Sequence, residues 1–519
     1  PRKPLPVIFM TDHVPEAMQD DAKRWAEEFG TPIFLNSVWL REVENWDRSQ
    51  MASETYRNKR DRRKKYTATS DEIYAKLTSA LAGYPGIAFW GGHGNDPYQV
   101  SLPTLRRVLE ASGEKLVVVI YPELEDPSDE FAYVLNDLLY PLAETAQKTH
   151  DKIYIRTKHF FWETAIYHPM WSRLLSGEFS DVFVPSMEET TDKTQELSVA
   201  ARLGVWTAGC TDDWGARCAR DNPSFDRMRQ FSHQMLPNHF LRNQVFTIAY
   251  GARYMNNVAV DQDYMSVLWE LIAKGILYVP KRGEIVSFSP VRLGMIEPDP
   301  DFEDQGNNVK WTTFFDPEYE RQNRFVFERT NGSWPAAPLT EWDFSRIAAG
   351  AWERRQNFLP SYPHGLVLIG PHGDTFDRRL RENLHPLYRD IMQEFVTDGR
   401  WYYTPDGKKQ PPQTYYRTVE QAIKTAAEKL PLTVEGQVAW VAAVSAPHHI
   451  RLTVIDGGYL NPNDRQARVT FHAVTPVEVR DLVSGETIST TERTVTIDVP
   501  CGLFRFFDVT IREPLAPRD

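Results

Sequence analysis

Three cysteines in 519 residues, Cys210, Cys218 and Cys501, are too few for a disulfide framework. Cys210 and Cys218 could bridge locally across TDDWGAR, but two buried thiols fit that stretch equally well. No apolar run approaches the ~20 residues that cross a bilayer, so no membrane span is expected. Surplus positive charge is missing too. The net charge is −12, which counts against a general nucleic-acid binder, because neutralising phosphates requires a basic footprint. No strand is followed by G-x-G-x-x-G, and G-x-x-x-x-G-K-[ST] does not occur, which removes the common nucleotide cradles. H-E-x-x-H, H-x-x-x-H and C-x-x-C are absent, as is the serine-nucleophile elbow G-x-S-x-G. No cofactor and no metal are therefore expected. The chain opens PRKPLPVIFM without a signal-type apolar stretch; its ends read as trimmed, so a secreted or periplasmic location stays compatible with it.

What is present is an ordinary globular composition, 41% hydrophobic and 25% charged, long enough for two or three domains. The aromatic stock is large, with 15 Trp, 22 Tyr and 27 Phe. Most of it belongs to a core, and some of it is placed to line a cleft.

Eight short apolar runs recur: VIFM (7–10), IFLNSV (33–38), IAFW (87–90), LVVVIY (116–121), IYIRT (153–157), VFVPS (182–186), VWTAG (205–209) and FTIAY (246–250). Continuous Val/Ile runs suit strands buried on both faces, as in a parallel sheet. The segments between them read as helices. Met18, Ala22, Trp25, Ala26 and Phe29 form one stripe that Gly30 ends; Ser101 and Pro103 start a second helix that Gly113 closes; Ser128 caps a third. Eight β-α units in about 280 residues match a (β/α)8 TIM barrel, with an open doubly wound sheet as the competitor. The second and third strands are separated by an insert carrying RNKRDRRKKY (57–66), read as a solvated charged segment in preference to a dock for an acidic polymer. From about 285 the rhythm breaks into a Pro- and Asp-rich stretch. The last ninety residues alternate apolar and polar positions between tight turns, the pattern of an antiparallel β-sandwich. The α/β organisation expected is a (β/α)8 catalytic barrel (1–285), an irregular linking region packed on it (286–430) and a C-terminal antiparallel β-sandwich (431–519).

In such a barrel the C-terminal ends of the strands build the site. Reading those tips gives Trp90, His93 and Asp96 after the third run and Glu123 after the fourth. Arg156, Lys158, His159 and Trp162 follow from the fifth, and Glu188 and Glu189 from the sixth. Asp212, Asp213 and Trp214 come from the seventh, and Tyr250 and Arg253 from the eighth. Strand parity prefers Glu188 to Glu189, since Glu188 pointing inward puts Val184 and Ser186 inward and Phe183, Pro185 and Met187 toward the helices. The same test favours Asp213 over Asp212. Carboxylates around a cleft flanked by Trp and Tyr suit glycoside hydrolysis, where one acid protonates the leaving oxygen and another carboxylate attacks or activates water. The basic tips suit a sulfated or uronic sugar. The expected partner is a carbohydrate, with no nucleic acid. Two rivals stand beside this reading: a metal-dependent carbohydrate deacetylase using Asp12, His13 and His93, and a non-catalytic carbohydrate-binding protein.

With VEVRDLVSGETI and DVPCGLFRFFDVTI closing the chain, the architecture resembles a TIM-barrel glycoside hydrolase followed by a C-terminal antiparallel β-sandwich. That resemblance implies a polysaccharide-degrading hydrolase with an acid/base Glu ending the fourth strand, which falls on Glu123 in IYPE. The largest clan of such enzymes shows Asn-Glu there and Glu on the seventh strand; this chain has Pro-Glu and Asp-Asp, so a fourth-plus-sixth arrangement fits better. The expected catalytic set is Glu123 and Glu188, with Asp213 as orienter or alternative base, and the remaining tips bind substrate.

Overall fold

The computed structural model describes most of residues 5–157, 169–187, 205–217 and 238–288, five short strands between 292 and 410, and most of 428–518. Eight parallel strands close a barrel: β1 (Ile8–Thr11), β2 (Ile33–Asn36), β3 (Gly86–Trp90), β4 (Leu116–Pro122), β5 (Lys152–Thr157), β6 (Phe183–Met187), β7 (Gly215–Arg217) and β8 (Tyr254–Asn256). β8 pairs back onto β1, with Tyr254 opposite Ile8.

The pleat explains the unbroken apolar runs. In LVVVIYP, Val118 and Ile120 point into the barrel beside Ile8, Met10, Phe34, Ala88, Tyr154, Val184 and Tyr254. Val117, Val119 and Tyr121 point the other way, into the layer shared with the helices. Each buried aliphatic side chain contributes roughly 1.5–3 kcal/mol, so both faces must be apolar. Glycine makes room where the rings crowd: a Cβ on Gly86 would lie 1.7 Å from the Phe34 ring.

The expected helix signals act as written. Gly30 ends Gln19–Phe29 in the left-handed conformation, and the Ser101 hydroxyl caps Leu102–Glu110 with Pro103 in its first turn. Ser128 does not cap with its side chain; its carbonyl receives the Phe131 N–H, while its hydroxyl donates to Asp126. The helix that follows widens into a π-turn at Leu135–Leu139 directly before Pro141, whose ring would clash with a carbonyl four residues back.

Two expected strands are corrected. Val205 and Trp206 of VWTAG sit in a helical turn, and FTIAY lies mostly in the helix His239–Ala249. The seventh and eighth strands are the three-residue segments GAR and YMN further along. An apolar run buried on all sides has no period that separates strand from helix. FTIAY is such a run because the far side of its helix is covered by the C-terminal domain: Arg242 donates to the Asp456 carbonyl (2.7 Å), and the Tyr250 hydroxyl donates to the Trp440 carbonyl (2.7 Å).

The C-terminal domain is a sandwich of two antiparallel sheets. One holds Leu432–Glu435, Arg465–Phe471 and Thr494–Val499; the other orders Thr487–Ser489, Pro476–Asp481, Phe504–Ile511, His449–Asp456, Val438–Ala446 and Ile285–Phe288. The last of these comes from the end of the barrel region and pairs with Val438–Ala446. The larger sheet is buried on both faces. Trp440, Ala442 and Val444 face the sandwich core, while Ala439, Val441 and Ala443 face the barrel's helices. Between barrel and sandwich in sequence, Val367–Pro371 and Gln393–Thr397 pair in parallel within a five-stranded sheet.

Candidate active site

The barrel's C-terminal mouth gathers Trp90, His93, Glu123, Arg156 and Asn256, together with Arg63 from the insert between β2 and β3. Glu123 is the residue after β4 and has φ 55°, a left-handed conformation that costs a non-glycine residue about 1–2 kcal/mol. Its backbone is over-determined: its N–H donates to the Arg156 carbonyl (2.8 Å), and Gly94 N–H donates to Pro122 next to it (2.9 Å). Gly94 is required there, because a Cβ would come 1.8 Å from the Glu123 carbonyl oxygen. The Glu123 side chain remains 36% exposed.

His93 is 6% exposed and places Nε2 3.8 Å from Glu123 Oε2. Its Nδ1 accepts the Asn95 N–H (3.0 Å), so the neutral ring carries its proton on Nε2, the nitrogen facing Glu123. Burial pushes His93 below its usual range, opposed by Glu123 and reinforced by Arg63 and Arg156. Trp90 stacks on His93 at 5.8 Å and lies under the Arg156 guanidinium at 5.6 Å. Arg156 reaches across the barrel from β5 and donates to Asn256 Oδ1 on β8 (2.6 Å).

The insert is stapled over this mouth. Arg48 grips Asp96 through two 2.8 Å bonds and donates to the Tyr98 carbonyl (2.7 Å), and the Tyr66 hydroxyl also donates to Asp96. Asp96, expected to bind substrate, is instead fully buried as the anchor of this staple. Its carboxylate is satisfied by Arg48, Tyr66 and the Tyr98 N–H (2.9 Å).

The relocated strands change the rest of the expected site. Asp212, Asp213 and Trp214 precede β7, and Tyr250 and Arg253 precede β8, so all five belong to the opposite, N-terminal end of the barrel. Asp213 pairs there with Lys152 at the start of β5 (3.1 Å) and with Arg253 (3.4 Å). Trp214 is buried and donates to the Tyr250 carbonyl (3.2 Å); Asp212 is exposed and its N–H donates to the Ser180 carbonyl (2.8 Å). None of the five is brought to Glu123. Lys158, His159, Trp162, Glu188 and Glu189 lie outside the described residues, as do Asp12, His13 and Cys218. On β6, Val184 does face inward, and Ser186 donates to the inward-facing Tyr154 hydroxyl. No group of three His, Cys, Asp or Glu among the described residues is placed to hold a metal ion.

Sequence reasoning passed over Arg63, Asp61 and Asn256. The first two sit in the basic run set aside as solvated; Asn256 ends a strand that had been placed elsewhere in the chain.

Among solved structures, the chain is similar to the catalytic module of a family 98 glycoside hydrolase from Streptococcus pneumoniae. With its LewisY pentasaccharide complex the TM-score is 0.45 at 10% identity, covering 97% of this chain and 98% of that one. With its H-disaccharide complex the TM-score is 0.46 at 9% identity, with the same coverage. Two curated relatives, lambda-carrageenases from Pseudoalteromonas carrageenovora and from a Pseudoalteromonas species, are each 49% identical over 526 residues, covering 99% of this chain and 56% of theirs. The chain thus spans about half the length of the curated relatives it matches. The lambda-carrageenase middle domain matches residues 45–407, and the lambda-carrageenase C-terminal domain matches 433–510. The chain belongs to the lambda-carrageenase family.

Proposed function

We propose that this chain is a glycoside hydrolase that cleaves a sulfated polysaccharide of the carrageenan kind, with Glu123 as its general acid. The observation that carries this reading is the conformation of Glu123. A carboxylate is held in a strained backbone at the end of a barrel strand, partly open to solvent, near His93 Nε2 and within electrostatic reach of Arg63. Strain of this sort persists where the surroundings enforce it, and such places are commonly functional. An acid there can protonate a leaving glycosidic oxygen. Trp90 offers a ring to the apolar face of a sugar, and the basic groups of this mouth suit an anionic one. The 49% identity to lambda-carrageenases over nearly the whole chain supports the same substrate class.

Glu188 is the proposed second carboxylate. The inward direction of Val184 and Ser186 on the same strand supports it, because position 188 continues their parity. Lys158, His159, Trp162 and Glu189 are proposed to bind substrate. A polymer is met outside the cell, which supports a secreted enzyme. No helix among the described residues is long and apolar enough to cross a membrane.

The test is reducing-end release from lambda-carrageenan by the wild-type chain and by Glu123→Gln. The substitution is expected to lower kcat by ~10²–10⁴-fold with the fold intact. Near-normal turnover would remove Glu123 as the acid, and binding without release by the wild type would leave a carbohydrate-binding protein in its place.

A further inference from the structure

The insert's basic run enters neither the barrel nor the catalytic pair, yet it does not simply face water. Asp61 is 2% exposed, while its partner Arg63 is 61% exposed. The pair is a fork: Arg63 Nε donates to Asp61 Oδ1 (2.9 Å) and Nη2 to Oδ2 (3.0 Å), and the Arg63 backbone N–H also reaches Oδ1 (3.1 Å). An ordinary surface ion pair has two mobile, exposed members. Here the carboxylate is buried and fixed, so the guanidinium is oriented, and the fork leaves both Nη1 protons uncommitted to Asp61.

Residues 57–66 carry seven Lys and Arg against one Asp in a chain whose net charge is −12. Arg41 and Lys64 also feel Asp61, and Lys64 is pushed down by burial and then by Arg41 and Arg63. The next carboxylate, Asp96, is already matched to Arg48. Arg63 is also within electrostatic reach of Glu123 and His93. A guanidinium oriented by a buried carboxylate and within electrostatic reach of the proposed acid suits an oxyanion arriving with the substrate.

We propose that Arg63, held by Asp61, is a specificity-determining residue that reads a sulfate ester on the sugar bound beside Glu123. This rests on the glycosidase reading above and adds to it the side chain that recognises the anionic substituent.

The test measures binding of lambda-carrageenan, and of the same polymer after chemical desulfation, by affinity electrophoresis. It uses Glu123→Gln protein with and without Arg63→Ala, with turnover by the wild type and the single Arg63→Ala variant alongside. Arg63→Ala is expected to weaken binding of the sulfated polymer ~10–100-fold and to leave the desulfated one unchanged. It should also reduce the slope of log affinity against log salt by about one. Arg63→Lys, which keeps the charge without the fork, should recover only part of the loss. Because Arg63→Ala strands a buried carboxylate, Arg63→Ala combined with Asp61→Asn serves as the folded control and should show the same selective loss. Equal weakening on both polymers, or no weakening on either, overturns the assignment. Arg63-dependent binding by a wild type that releases no reducing ends would keep the sulfate site and overturn the hydrolase; a wild type that neither binds nor cleaves would overturn both.

Discussion

Replacing Glu123 by glycine should stabilise the protein while abolishing its activity. Glu123 has φ 55° and a side chain 36% exposed, so its truncation removes little apolar burial. Relief of the left-handed backbone returns about 1–2 kcal/mol. Glycine's larger conformational freedom in the unfolded chain withdraws roughly 0.5–1 kcal/mol. The expected net gain is about 0.5–1 kcal/mol. Glu123→Gln keeps the Cβ and its strain, and so serves as the reference: equally inactive, but with unchanged stability. Urea unfolding of the three proteins at constant m-value reads the difference directly. A Glu123→Gly protein less stable than Glu123→Gln by more than about 1 kcal/mol would show that the backbone there is not strained by its side chain. The premise that function holds this residue against its preference would then fail.

Three further outcomes follow from the geometry. Gly94→Ala puts a Cβ 1.8 Å from the Glu123 carbonyl, so that loop must shift; a displacement near 1 Å is expected to lower kcat ~10²-fold, and an unchanged kcat would count against Glu123 as the acid. Arg48→Ala leaves the Asp96 carboxylate buried without its cation and should cost about 3–5 kcal/mol, read as lost hydrogen-exchange protection across residues 42–69; full protection would show that the staple is dispensable. Asp151 is fully buried, and that burial raises its carboxyl to about 6, so the folded state holds a proton that the unfolded state releases near 3.8. Stability from this group is therefore present below about pH 4 and lost as pH rises through 6, on the order of 3 kcal/mol at most. Asp151→Asn should raise the unfolding midpoint at pH 8 and not at pH 4, and the same shift at both would refute the charge account.

Where burial imposed a simple period, the chain announced its structure. Six strands fall where apolar runs placed them, and Val184 and Ser186 face inward as the parity argument on the sixth strand expected. β7 and β8 did not announce themselves. Three residues such as GAR are too short to carry a pattern, and stronger apolar runs at 205–209 and 246–250 drew the assignment away. Those runs are apolar because the sandwich or neighbouring helices cover them, a cause that lies elsewhere in the chain. The misplacement moved Asp213, Trp214, Tyr250 and Arg253 to the wrong end of the barrel in a single step. Glu123 was visible as the end of a strand, but its backbone conformation was not, since IYPE contains no glycine to signal it. The basic run looked solvated because its sequence does not show that Asp61 within it is buried, or that Tyr66 meets Asp96 in a distant turn.

Ile285–Phe288 lies beside Val438–Ala446 in one sheet, and the Ser287 hydroxyl also donates to the Leu432 carbonyl (2.6 Å). The polypeptide between them thus departs and returns at neighbouring points, as a guest inserted into a host made of barrel and sandwich. Segments whose ends meet can be lengthened or shortened at little entropic cost, since closure grows only logarithmically with length. Evolution could therefore exchange or enlarge residues 289–427 without redesigning the cylinder or the layered domain that supports it.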